Sequence, residues 1–126
     1  MSAKQKHYVA LHDDIQIATS TQKLPADTGQ TGTWQAGGLQ VVQGSTITVK
    51  GKNLALSAVM TWIYQGGTAG TAPLPPVTDT ANLSPGPSLL KDGGQDLLLD
   101  GDEATGMVDA NNKIFVSSSQ TLLSTD

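Results

Sequence analysis

Apolar and polar residues alternate with a period of two in several parts of the chain, which is the pattern of a β-strand with one wet face. In "STITVK", Ile47 and Val49 point one way and the intervening threonines point the other. Residues 1–20 and the run "AVMTWIYQ" at 58–65 also favour short strands. We therefore predict an all-β fold with little or no helix. A short helical turn over residues 53–60 is the one exception that we expect.

Two segments of the chain share one rhythm. They are "GSTITVKGKNLAL" at 44–56 and "GPSLLKDGGQDLLLDGD" at 86–102. In each, a glycine precedes a short strand, a glycine turn follows, and a second apolar strand ends the segment. Two hairpins built alike in a chain of 126 residues predict a repeat architecture.

The remaining segments are predicted as connections. Residues 21–38 favour a loop or an irregular hairpin, because glycine, threonine and glutamine dominate them. Residues 66–80 are predicted to be an ordered surface loop, since Pro75 and Pro76 exclude a central strand. Residues 102–112 link this part to a final strand pair at 113–126. We predict one domain over 1–126, with an irregular N-terminal cap at 1–36 and hairpin repeats at 37–126.

Composition excludes several classes of protein. The net charge is −4 and arginine is absent, which argues against a nucleic-acid partner. Cysteine is absent, so there is no disulfide framework. Residues 1–14 lack the apolar stretch of a signal peptide, and no run reaches the roughly 18 apolar residues of a membrane helix. Synthesis in the bacterial cytoplasm is the expectation. Only five residues are aromatic, so we expect burial of many small aliphatics or burial against a partner.

The hairpin segments resemble the PAAR and PAAR-like proteins, which form the tips of contractile injection machines such as type VI secretion systems and phage-tail-like particles. The first segment carries the matching residues Gly44, Ser45, Val49, Gly51, Lys52 and Ala55. The second carries Gly86, Ser88, Leu90, Gly93 or Gly94, and Gly101-Asp102. A third copy is weaker: "NKIFVSSSQTLLSTD" keeps the strand rhythm, with Ser117-Ser118 in place of the turn glycine.

The resemblance implies a conical β-hairpin repeat with a pseudo-threefold arrangement. One copy would cap a trimeric spike or hub protein and sharpen it for piercing a target envelope, which brings transient contact with a membrane. The particle would carry the tip outside the cell on firing. An effector could dock on it, and we expect no fused toxin after the last repeat. The expected partner-interface residues are Leu39, Val41, Ile47, Val49, Ile114, Val116 and Leu122, and the expected repeat turn glycines are Gly44, Gly51, Gly86, Gly93 and Gly101.

PAAR tips commonly bind a metal near the apex through three histidines and a cysteine, and this chain departs from that pattern. His7 and His12 are its two histidines, and both precede the repeats. Two histidines with a carboxylate from Asp13 or Asp14 could hold zinc, and iron is the other candidate. We expect solvated or packed histidines, with no cofactor.

Other sites are less well supported by the sequence. Calcium is conceivable at the acidic residues Asp96, Asp100, Asp102 and Glu103, although an Asp-Gly hairpin turn explains them more simply. No arrangement of nucleophile and base predicts an enzyme. The alternative function is a small β-sandwich module that binds carbohydrate or decorates a virion, with Trp62 and Tyr64 on one face of a strand as a stacking platform. Packing in a core, or packing against the spike, is the simpler explanation of these two residues.

Overall fold

The computed structural model describes residues 8–86 and 90–124, which contain strands and loops but no helix. The all-β prediction is confirmed. No helix capable of crossing a membrane occurs in this described part of the chain. The strands are β1 (Ile15–Ala18), β2 (Thr33–Val49), β3 (Lys52–Gln65), β4 (Thr68–Ala69), β5 (Ala72–Pro73), β6 (Val77–Leu83), β7 (Glu103–Thr105) and β8 (Lys113–Val116).

The largest sheet has the antiparallel order β2-β3-β6. The chain passes from β2 to β3 through Lys50 and Gly51, both with positive φ (54° and 79°), as a type I′ hairpin turn requires. Side chains of β3 alternate between the two faces of the sheet. Met60 and Trp62 are buried on the inner face, whereas Val59 is exposed on the outer face.

The second sheet has the antiparallel order β1-β8-β7, so β8 lies between two short strands. A small hairpin of β4 and β5 stands apart from both sheets. The main hydrophobic cluster includes Trp62 and Tyr64 of β3 together with Ile114 and Val116 of β8. Trp34 lies edge-on to Tyr64, with ring centroids 5.3 Å apart. Three of the chain's five aromatic residues therefore lie in one core.

Three local predictions differ from the structure. The helical turn expected over residues 53–60 is wrong, because these residues belong to β3 and pair with strands on both sides. The run at 58–65 is not a separate strand, since β3 is continuous over 14 residues. The segment 66–80 contains β4, β5 and the start of β6, which begins directly after Pro75-Pro76 and lies at the edge of its sheet.

Candidate partner interface

Three short apolar segments meet in a closed ring of backbone hydrogen bonds. The amide of Ala10 donates to the carbonyl of Leu98 (2.9 Å), that of Leu98 donates to Ala55 (3.0 Å), and that of Ala55 donates to Ala10 (2.9 Å). We call residues 9–11, 54–56 and 97–99 the ring segments. Their sequences are Val-Ala-Leu, Leu-Ala-Leu and Leu-Leu-Leu. Three stretches that are far apart in sequence therefore occupy equivalent places.

Each ring segment is paired with a second strand in the same register. Thr48 faces Asn53 in the first hairpin, and Ser124 faces Tyr8 in the third pair of segments. We call this third pair a hairpin as well, although its two segments are not consecutive in the chain. In the second hairpin, Asp92 faces Gln95 across Gly93 and Gly94, whose φ values of 59° and 84° match those of Lys50 and Gly51. Counting along these pairs places Ile47, Leu90 and Leu123 at one equivalent position of the three hairpins.

The ring segments direct alternate side chains to two different clusters. Ala10, Ala55 and Leu98 point into the main core. Their neighbours on either side form a second cluster, which we call the ring cluster. Its buried members are Val9, Leu11, Val49, Leu54, Leu56 and Leu97, and its half-buried members are Ile47, Leu90, Leu99 and Leu123. The ring cluster is therefore a small core shared by all three hairpins.

The third hairpin differs from the sequence-based expectation. From the sequence, we expect residues 112–126 to supply the weaker third copy and residues 1–36 to form a cap. Instead, residues 8–11 contribute one strand and residues 122–124 the other, with a bond of 3.1 Å from the Val9 amide to the Leu123 carbonyl. The side chain of Gln120 fastens this hairpin by donating to the carbonyls of Val9 (2.9 Å) and Leu123 (2.8 Å).

An aspartate turns the chain after two of the three ring segments. Asp14 accepts the Leu11 amide on its carboxylate (2.9 Å) and donates its own amide to the Leu11 carbonyl (3.0 Å). Asp102 makes the same pair of bonds with Leu99, at 2.9 and 3.0 Å. The equivalent residue of the first hairpin is Val59, which cannot accept such a bond. There β3 runs straight on into the long sheet.

The predicted interface residues fall into two groups. Leu39, Val41, Ile47 and Leu122 are exposed or half-buried, and Leu122 is 71% exposed. The interface prediction is wrong for Val49, Ile114 and Val116, because all three are buried inside the chain's own clusters and present no surface to a partner. Alternation identified the apolar face of each strand, but it could not show that the apolar face of β8 is buried in the chain's own main cluster.

The predicted turn glycines also divide. Gly51, Gly93 and Gly101 have positive φ and lie in turns, as expected. The turn prediction is wrong for Gly44, because this residue lies inside β2 and not in a turn. A Cβ at Gly44 would stand 2.2 Å from Asp92 Oδ2, so the glycine allows that carboxylate to approach the strand. Gly86 lies in a loop without a positive φ.

The structure does not bring metal ligands together in the ranges that it describes. No group of three or more histidine, cysteine or acidic residues is found there. His12 is half-buried, while Asp13 forms an ion pair with Lys52 (2.5 Å) and Asp14 holds the turn described above. Lys52 lowers the pKa of Asp13 through this hydrogen bond. His7 lies outside the described residues, and a metal remains untested.

The four acidic residues considered as calcium ligands interact with different partners. Asp96 pairs with Lys91, and Glu103 pairs with Lys113 at 2.9 Å. Asp100 accepts the Ser118 amide (2.8 Å), and Asp102 accepts the Leu99 amide. Their oxygens are thus directed to different partners and do not converge on one point.

Trp62 and Tyr64 are both fully buried, so they offer no stacking platform at the surface. Trp62 donates through Nε1 to Thr19 Oγ1 (3.2 Å), and the hydroxyl of Tyr64 donates to Asp27. Asp27 also accepts the amides of Gly32 (2.8 Å) and Thr68 (3.0 Å). Tyr64 and these amides lower the pKa of Asp27 to about 2. The preferred interpretation, core packing, is confirmed for both aromatics.

A second buried carboxylate shapes the loop that follows β7. Asp79 accepts the amides of Val108 (2.9 Å) and Asp109 (3.0 Å) and the side-chain amide of Asn112 (3.0 Å). Met107, at the outside of this loop, is 85% exposed. Sequence reasoning missed Asp79, although an aspartate within an alternating strand, at a position that should face the core, is the signal that could have found it.

No protein-family model, curated protein or solved structure matches this chain. The functional interpretation therefore depends on the residues and geometry described above.

Proposed function

We propose that this protein is a structural, non-enzymatic tip that caps the trimeric spike of a contractile injection particle. In this proposal the three hairpins surround a pseudo-threefold axis and form a cone, and one chain covers one spike trimer. The spike is the partner that the resemblance to PAAR-like proteins implies. The proposal includes export with the particle and contact with a target membrane on firing.

The closed ring of backbone bonds is the observation that carries this proposal. Each ring segment donates one bond and accepts one, so no segment holds a special place in the ring. A single chain with three equivalent hairpins can match the symmetry of a homotrimer, which an ordinary asymmetric monomer cannot do. The open strand ends of a trimeric β-spike need such a cover, because unpaired strand edges promote aggregation.

The half-buried residues of the ring cluster supply a docking face with the same symmetry. Ile47, Leu90 and Leu123 occupy equivalent positions, and each packs against the ring cluster while keeping some surface exposed. Leu122 precedes Leu123 in the chain and is largely exposed. Full burial of an exposed apolar side chain of this size is worth about 1.5–3 kcal/mol, and covering these half-buried side chains contributes part of that to a complex. An apolar blunt end on the spike is the surface that fits this face.

Light scattering after size exclusion tests the proposal directly. The protein is mixed at equal low concentration with the trimeric spike encoded beside it, and the mass of the complex is measured. We expect one chain per spike trimer. A lone 13.0 kDa monomer beside an unchanged spike would contradict the proposal.

A pair of variants locates the docking face. Leu122→Lys adds a charge to an exposed position beside the ring cluster, and we expect it to weaken the complex at least tenfold. Met107→Lys makes the same change at the exposed loop after β7 and serves as the matched control. Equal weakening by both variants, or by neither, would show that the ring-cluster face is not the interface.

A further inference from the structure

The outer edge of β2 is an unpaired strand edge. β2 lies at the end of the order β2-β3-β6 and pairs with β3 alone. Among described residues, no backbone group of residues 36–43 bonds to any strand other than β3. Two irregularities of register, at Ala36/Gly38 and Val42/Gln43, bound a regular stretch from Gly38 to Val42.

Two of the usual protections of a strand edge, lysine and proline, are missing from β2. Natural proteins commonly place lysine or proline on such an edge to prevent pairing with other chains. Residues 28–49 contain neither proline nor any charged residue. Exposed apolar side chains lie on both faces of the edge, with Leu39 at 38% and Val42 at 54% exposure. This edge therefore has both the backbone groups and the side chains for strand addition.

The opposite edge of the same sheet has other elements close beside it. β6 lies beside β7, and its Asp79 holds the loop after β7 through several hydrogen bonds. Residues 38–42 of β2 pair with β3 alone among the described residues. An edge that pairs with the same edge of a second copy about a twofold axis forms a closed pair, whereas pairing with a different edge would continue into a fibre.

We propose that two copies of this chain associate through antiparallel pairing of β2 with β2. Antiparallel pairing of a strand with itself about a twofold axis is self-complementary, and the absence of charge removes like-charge repulsion at the contact. The result is one continuous sheet of six strands in the order β6-β3-β2-β2-β3-β6. The paired stretch is short, so the dimer is weak and depends on concentration. This proposal is independent of the proposed spike binding, which uses the ring cluster.

Sedimentation equilibrium of the purified chain from about 10 µM to about 1 mM tests this inference. We expect the mean mass to rise from 13.0 kDa toward twice that value. Gln40→Lys places two charges at the centre of the pairing and should abolish the rise. Thr78→Lys adds the same charge to the same face at the far edge of the sheet, and should leave it intact. Circular dichroism confirms that both variants are folded.

Hydrogen exchange provides a second measurement that does not depend on a variant. In the native chain, amides of residues 38–42 that point away from β3 should exchange more slowly at high than at low concentration. A monomer at every concentration would overturn the proposal. A dimer that survives Gln40→Lys, or that is lost equally in Thr78→Lys, would overturn the assignment to β2.

Discussion

Buried aspartates organise several loops of this protein, whose sequence has ten aspartates and one glutamate. The short aspartate side chain holds its carboxylate close to the backbone, where it can accept amides of the surrounding loop. Asp27 and Asp79 each accept hydrogen bonds from two or more backbone amides. Burial opposes ionisation of Asp79, but Asn112 and the loop amides outweigh it, so the pKa of Asp79 is lowered.

The first prediction concerns Asp79. Asp79→Ala leaves the amides of Val108 and Asp109 and the side chain of Asn112 without their acceptor. We expect the free energy of unfolding to fall by about 1–3 kcal/mol, as measured by urea denaturation. Glu103→Ala removes an exposed carboxylate paired with Lys113 and should cost less than about 1 kcal/mol. Equal losses would contradict the organising role of Asp79.

The second prediction concerns acid stability. The pKa of Asp27 is about 2 in the folded chain, against 3.8 as its ordinary value. Because the folded pKa is depressed, the stabilisation is present above pH 4 and is lost as the pH falls through about 2. The urea concentration at the midpoint of unfolding, measured at pH 6, 4, 3 and 2, should decrease as the pH falls from 4 to 2. Asp27→Asn should flatten the dependence, and an unchanged profile in this variant would contradict the prediction.

At the scale of elements, the two local hairpins could be predicted from the sequence and the third could not. Glycines and flanking apolar runs mark the turns at 50–51 and 93–94, because positive φ favours glycine and the strands are adjacent in the chain. The third hairpin joins residues 8–11 to residues 122–124, and no local signal reports such a distant pairing. The same limit applies to Ile114 and Val116, because most of the buried residues in their cluster are distant in sequence.

The third prediction tests the hairpin turn between β2 and β3. Gly51→Ala forces a Cβ into a backbone with φ of 79°, although nothing lies within 4 Å of that Cβ. We expect a loss of about 1–2 kcal/mol in the free energy of unfolding. Gly38 also has open space around it but no positive φ, so Gly38→Ala should change stability by less than about 0.5 kcal/mol. Thermal denaturation of both variants measures the difference.

At the scale of the whole molecule, two hydrophobic clusters on opposite sides of the ring segments hold different parts of the fold together. The main core fixes the two sheets, and Trp62 at its centre is fully buried. The ring cluster is made only of aliphatic side chains and unites the three hairpins. The low aromatic content predicts burial of many small aliphatics or burial against a partner, and the structure buries alanines in the main core and valines and leucines in the ring cluster. The sequence could not reveal the ring itself, because each of its bonds joins distant segments.

The fourth prediction tests whether Trp62 packs in the core or forms part of a surface platform for carbohydrate. Trp62→Ala should lower the free energy of unfolding by about 3–5 kcal/mol, because it empties a large volume in the main core. Urea denaturation measures this loss. A fully stable variant would mean that Trp62 does not have the buried place described above.

The pairing of Tyr8 with Ser124 has a topological consequence. Since these residues face each other as Asn53 and Thr48 do, the polypeptide path around the three hairpins is nearly a closed circuit. Replacing residues 1–7 and 125–126 by a four-residue linker with Asn-Gly at its centre would close that circuit with a third type I′ turn. New termini could then be opened between Lys50 and Gly51. We expect this circular permutant to keep the native circular dichroism spectrum, because no order of the three hairpins along the chain is special.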